Sequence, residues 1–167
     1  QAFELFKDKD IHFSVNLSIL DILEPQTTSY ILQMLQEYDI GSRVIFEIVE
    51  SESIENFDGI TDFIREVKKY NCKIAIDDFG TGYSSLVYLK NLKVDELKID
   101  QSFVFGLGKN KSDETNIKTI TMMGIELGFE VFAEGVETQE QFNMLTSLGC
   151  DYFQGYLLAR PCPAEEL

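Results

Sequence analysis

Histidine is nearly absent from this chain, and cysteine is sparse. There is one histidine, His12, and the three cysteines, Cys72, Cys150 and Cys162, stand far apart with no CxxC spacing. A zinc centre needs such ligands close together, so zinc chemistry is not expected. An odd number of scattered cysteines predicts reduced, mostly buried thiols, as in a cytoplasmic protein. Basic residues are scarce too: 14 Lys and Arg stand against 29 Asp and Glu, for a net charge of −15. That balance argues against a nucleic-acid polymer as partner, because a phosphate backbone is held by Lys and Arg. A small phosphate substrate remains compatible if metal ions supply the positive charge. No run of 18 apolar residues and no signal-peptide pattern occur, so no membrane contact by this segment is expected. Repeats and low-complexity stretches are missing as well.

What is present fits one domain: 167 residues, 44% hydrophobic, with 13 Phe. The chain opens without Met in what reads as the tail of a helix (1–6), and is expected to be a piece of something longer. Strand-like runs are "IHFSVNLS" (11–18), "RVIFEIVE" (43–50), "KIAIDD" (73–78), "ELKID" (96–100), "EVFAEG" (130–135) and "DYFQGY" (151–156). Helical patterns lie between them at about 26–38, 57–70, 84–90, 113–127 and 138–148. Pro25 with Thr27 and Thr28 suits a helix start, and Gly128 and Gly149 suit helix ends. Alternating β and α units predict an α/β fold with a parallel sheet, open and doubly wound or closed as a barrel.

The strand ends carry the chemistry. Asn16, Glu47, Asp77, Lys98, Glu134 and Gln154 each fall at or near the C-terminal end of a predicted strand. Strand alternation puts Lys73, Ala75 and Asp77 on one face and Ile74 and Ile76 on the other. Lys98 likewise opposes Leu97 and Ile99, and Glu134 opposes Val131 and Ala133. The polar set then shares one space at one end of the sheet, which in a barrel is the face that carries active sites.

Each residue also has a plain reading. A strand-end acid is commonly solvated; Asn16 suits a helix cap or turn; Lys98 can reach solvent or pair with Asp100. Gln154 suits a turn, Glu137 a first-turn helix acid, and His12 a structural place. The adjacent Asp77 and Asp78 are the exception, because two like charges side by side repel unless something positive lies between them. Convergent carboxylates with an Asn oxygen make a hard, oxygen-rich site suited to Mg²⁺ or Mn²⁺. Two such ions are a standard device for hydrolysing a phosphodiester.

The stretches "SVNLS", "FEIVES", "IDDFGTGYSSL", "LKVDELKIDQSFV", "VFAEGVET" and "DYFQGYLLARP" together resemble the EAL domain of bacterial cyclic-di-GMP phosphodiesterases, from about residue 10 to residue 163. The resemblance implies a modified TIM (β/α)8 barrel with one antiparallel strand, and hydrolysis of cyclic-di-GMP to linear pGpG. It implies that Asn16 and Glu47 bind a first metal, that Asp77 bridges two, and that Asp78 and Glu134 serve the second. Lys98 resembles the lysine that positions the attacking water, and Gln154 the glutamine near the second metal. Glu50 matches the acid that steadies the loop containing Gly80 and Gly82, and Glu137 a supporting acid.

The Glu-Ala-Leu motif itself is not in the chain. The expectation is therefore a partial domain spanning 1–167, the C-terminal two-thirds, with about six βα units and the first two strands missing. Such a fragment alone is expected to hydrolyse poorly or not at all. The resemblance further implies a homodimer and an upstream sensory or GGDEF-type domain in the parent chain. Tyr83, Leu86, Tyr88 and Leu89 would pack either on a partner or on the barrel's own helices. Two other functions compete: an inactive cyclic-di-GMP receptor or partner-binding signalling module, and an enolase-like site with a Lys base beside one Mg²⁺.

Overall fold

Short runs of β-branched and aromatic residues form six strands: β1 (Phe13–Leu17), β2 (Val44–Val49), β3 (Lys73–Phe79), β4 (Glu96–Ile99), β5 (Glu130–Ala133) and β6 (Tyr152–Phe153). The structure is a computed structural model, and it describes residues 2–49, 57–80, 89 and 91–166. All neighbouring strands pair in parallel, in the unbroken order β1-β2-β3-β4-β5-β6. A doubly wound sheet reverses its order at a switch point. An order that never reverses, with right-handed crossovers, keeps the helices on one face as in a TIM barrel. Of the two sheet topologies the sequence left open, the barrel type is the one formed.

The described helices are α1 (Ala2–Phe6), α2 (Ile19–Leu23), α3 (Pro25–Tyr38), α4 (Phe57–Lys68), α5 (Gln101–Phe105), α6 (Lys111–Leu127) and α7 (Gln139–Leu148). Pro25 opens α3, and Gly128 and Gly149 close α6 and α7 in the left-handed conformation, at φ 81° and 99°. The helix α4 buries Ile60, Phe63, Ile64 and Val67, one face at the 3.6-residue period. Each such side chain contributes about 1.5–3 kcal/mol when fully buried, which is what holds this helix on the sheet. The outward row of the strands is apolar throughout: Phe46, Ile48, Ile74, Ile76, Leu97, Ile99, Val131 and Ala133 are all buried, and Phe63 of α4 meets the Phe46 ring edge-on. On α6 a Cβ at Gly124 would lie 2.4 Å from Val131 Cγ2, so only glycine lets this helix settle on β5.

Two five-residue helices, α2 and α5, were not expected, since five residues are too few to show a period. The cap of α2 is Ser18 in a capping box with Asp21, and Asn16 lies within β1. The predicted helix at 84–90, together with Glu50, Gly82, Tyr83, Leu86 and Tyr88, falls outside the described residues apart from Leu89, which is buried. Cys72 and Cys150 are buried and Cys162 is exposed, all three as free thiols.

Candidate metal centre at the mouth of the barrel

The strand β3 breaks its own alternation where it matters. Ile76 pairs with Leu97, but the next match is Phe79 with Ile99, so three steps on β3 span two on β4. The extra residue is a β-bulge, and Asp78 takes it up at φ 54°, a left-handed backbone that Asp tolerates better than most residues. Regular alternation would send Asp77 and Asp78 to opposite faces. With the bulge, both side chains and Glu134 each offer an oxygen within 4.8 Å of the others. The Asp78 amide donates to Asp77 Oδ1 at 3.1 Å, which fixes the turn. Phe79, now one step out of phase, is buried opposite Ile99 on the helix side.

At the centre stands Lys98. Its Nζ lies 2.9 Å from Glu47 Oε2, 3.2 Å from Asp77 Oδ1 and 2.6 Å from Glu134 Oε1, with the side chain only 7% exposed. Burial pulls the ammonium's pKa down, but Glu134 and Glu47 more than offset it, leaving the pKa above the ordinary lysine value. In this setting the ammonium donates to the carboxylates around it. Burial is also the chief force on Glu134, raising its pKa despite Lys98. Asp78 is raised first by burial, then by Asp77 and by Asp100.

Four carboxylates therefore crowd one ammonium, in a pocket where each added negative charge costs more than in water. Hard, anionic oxygens in excess of their cation fit a divalent ion such as Mg²⁺ or Mn²⁺ and suit no soft metal. Asn16 sits in register opposite Glu47 on β1, exposed at the same level. Beside the acids opens a cavity of about 290 Å³ lined by Gln101 and Phe105 of α5, by Glu134, Gly135 and Glu137, and by Gln154, Gly155 and Tyr156. Gly80, at φ 101°, packs where a Cβ would lie 2.8 Å from the Phe103 ring.

The strand-end reading thus brings Glu47, Asp77, Asp78, Lys98 and Glu134 into one cluster, and puts Glu137 and Gln154 on the adjoining cavity. Glu137 is not a first-turn acid, because Thr138 is the cap and α7 begins at Gln139. Lys98 pairs with neither solvent nor Asp100. Asp100 is a residue the sequence reading underrated: it caps α5 through Ser102 N and bears on Asp78. Its Asp-x-Ser spacing at a strand end was the available signal. The cavity residues Gln101, Phe105 and Tyr156 come from loops and a short helix, where alternation gives no guidance.

Fold and site together define a TIM-barrel-type chain with an acidic, metal-suited centre at the C-terminal ends of its strands. The chain belongs to the EAL domain family, whose family model matches residues 1–161. It is 39% identical over 159 residues to the bifunctional diguanylate cyclase/cyclic di-GMP phosphodiesterase MucR of Pseudomonas aeruginosa, covering 95% of this chain and 23% of that protein. The chain thus spans about a quarter of the length of this curated relative. Among solved structures it is similar to the PaMucR phosphodiesterase in complex with c-di-GMP (TM-score 0.91, 36% identity, 99% of this chain and 70% of the other). It is also similar to BlrP1 of Klebsiella pneumoniae in a manganese/cy-diGMP complex (TM-score 0.84, 30% identity, 96% and 42%). Among the described residues no helix is long and apolar enough to cross a membrane.

Proposed function

We propose that the protein carrying this chain hydrolyses cyclic-di-GMP to linear pGpG with two bound divalent cations, Mg²⁺ or Mn²⁺. The observation that carries the reading is the bulge at Asp77–Asp78, which adds a fourth carboxylate to a cluster holding one ammonium, beside an open cavity. In this reading Asn16 and Glu47 would hold one ion and Asp78 and Glu134 the other, with Asp77 serving both. When bound, such ions supply positive charge for the phosphate and an activated water. Lys98 acts as hydrogen-bond donor, orienting the attacking oxygen or meeting charge on the phosphate. The adjacent Asp77 and Asp78, brought together with Glu134, favour two shared ions over an enolase-like site with a single Mg²⁺. Glu137 and Gln154 line the space where the rest of the nucleotide would lie. Glu50 and the glycine loop of Gly80 and Gly82 belong to the proposal as supporting elements, as do the homodimer and the upstream sensory or GGDEF-type domain.

The test is turnover of cyclic-di-GMP by the full-length protein with Mg²⁺ or Mn²⁺, its loss on chelation, and titration calorimetry alongside. Metal-dependent release of pGpG is the expected result. Metal-independent binding with no turnover would sink the catalytic reading and leave the receptor. The 167 residues alone are expected to turn over poorly.

A further inference from the structure

Gln141 does two jobs with one side chain. Its Oε1 accepts from the amides of Glu137 at 2.9 Å and Thr138 at 3.0 Å, while Thr138 Oγ1 accepts from the Gln141 amide at 3.2 Å. That half is a capping box, which ends the loop after β5 and starts α7. The other half is unusual for a cap. Gln141 Nε2 crosses to α5 and donates to the carbonyl of Val104 at 3.2 Å, a residue with no exposure. The two segments so joined both line the cavity: Gln101 and Phe105 from one, Glu134, Gly135 and Glu137 from the other. They meet at backbone distance, since a Cβ on Gly135 (φ 70°) would lie 2.7 Å from Gln101 Cβ. Glu134 has separate restraints, from Lys98 at 2.6 Å and through its own amide to Ile99 O at 3.2 Å.

We propose that Gln141 is a positioning residue for substrate: by tying the Glu137 loop to α5 it sets the width of the cavity that receives the nucleotide beside the acidic cluster. This rests on the phosphodiesterase reading and adds to it a residue that is not among the four clustered acids and does not line the cavity. Because Glu134 is held independently, loss of the tie alters the fit of substrate and leaves the acidic cluster in place.

The substitution Gln141→Glu separates the two jobs. A carboxylate still accepts from both amides and suits a helix N-terminus, but it has no N–H for Val104 O and sets one acceptor against another. In the full-length protein with Mn²⁺ and cyclic-di-GMP as probe, Gln141→Glu is expected to lower Tm less than Gln141→Ala, because the cap is kept. The Kd from calorimetry and the KM should both rise about fivefold, with kcat within about twofold of the parent. Gln141→Ala, which removes cap and tie, should show the same rise together with a lower Tm. Kd and KM unchanged in Gln141→Glu would overturn the proposal and leave Gln141 a helix cap. If the unsubstituted protein binds the dinucleotide without hydrolysing it, the catalytic reading fails while the Kd comparison still decides this one. If it does not bind, both fail.

Discussion

The inward face of the sheet carries two ion clusters, one at each end, and between them the lysine moves from β3 to β4 while the region of β5 supplies an acid to both. At the lower end β3 supplies a lysine, Lys73, whose Nζ lies 3.0 Å from Glu96 Oε1 on β4 and 2.6 Å from Glu130 Oε2 on β5. At the upper end β3 supplies acids, β2 adds Glu47, β4 supplies Lys98, and Glu134 follows directly on β5. The lower cluster sets one ammonium against two carboxylates, partly open to water: Lys73 is 37% exposed. The upper one sets one ammonium against four, with a bulge in β3 to bring the last and a cavity alongside. The lower set carries one acid in excess and lies half open to water; the upper carries three in excess, largely buried, which in the proposed reading bound cations would offset.

The comparison breaks most visibly at its acids. Asp78→Asn in the full-length protein is expected to lower cyclic-di-GMP turnover by at least about a thousandfold, since removing an electrostatic group of a reacting centre has effects of this order, while Tm holds or rises. Glu130→Gln at the other end should leave turnover unchanged, checked in the same assay. A drop at Glu130→Gln as large as at Asp78→Asn would erase the distinction.

Removing each lysine sharpens it. Lys98→Met strands buried carboxylates and should cost about 3–5 kcal/mol by urea unfolding in chelator. Added Mn²⁺ should recover part of that loss by binding the folded state. Lys73→Met, at a half-open pair, should cost about 1 kcal/mol, with no recovery on adding metal.

The smallest effect concerns pH. Burial holds Glu96 above the ordinary glutamate pKa despite Lys73. The folded chain therefore takes up this proton more readily than the unfolded chain. Its contribution to stability rises as pH falls through the raised folded value, and levels off near the unfolded value of about 4.3. Glu96→Gln should flatten that limb of the unfolding free energy, measured from pH 7 to pH 4.

Much of this was legible beforehand. The period of two placed Glu47, Asp77, Lys98 and Glu134 on one side because regular strands leave no other choice. Six strands and the longer helices followed from apolar spacing and from Pro25, Gly128 and Gly149 at helix ends. Asp78 was drawn into the site by its adjacency to Asp77 and by the resemblance, although alternation points it away. A bulge is decided by pairing with a neighbouring strand, which no single stretch of sequence records. The same holds for Asp100, whose importance depends on where Asp78 is turned, and for the tie from Gln141 to Val104, which joins residues 37 apart.

The bulge also changes what kind of mutation this strand can survive. A substitution at Asp78 removes one carboxylate and leaves every other side chain on its own face. A deletion of Asp78 would do something else: with the ladder back in step, Phe79 would swing from the packed outer layer into the acidic mouth, and Gly80 would leave its place against Phe103. Codon loss here is therefore a frame error in three dimensions: a substitution costs the carboxylate, a deletion costs the packing of the strand end as well.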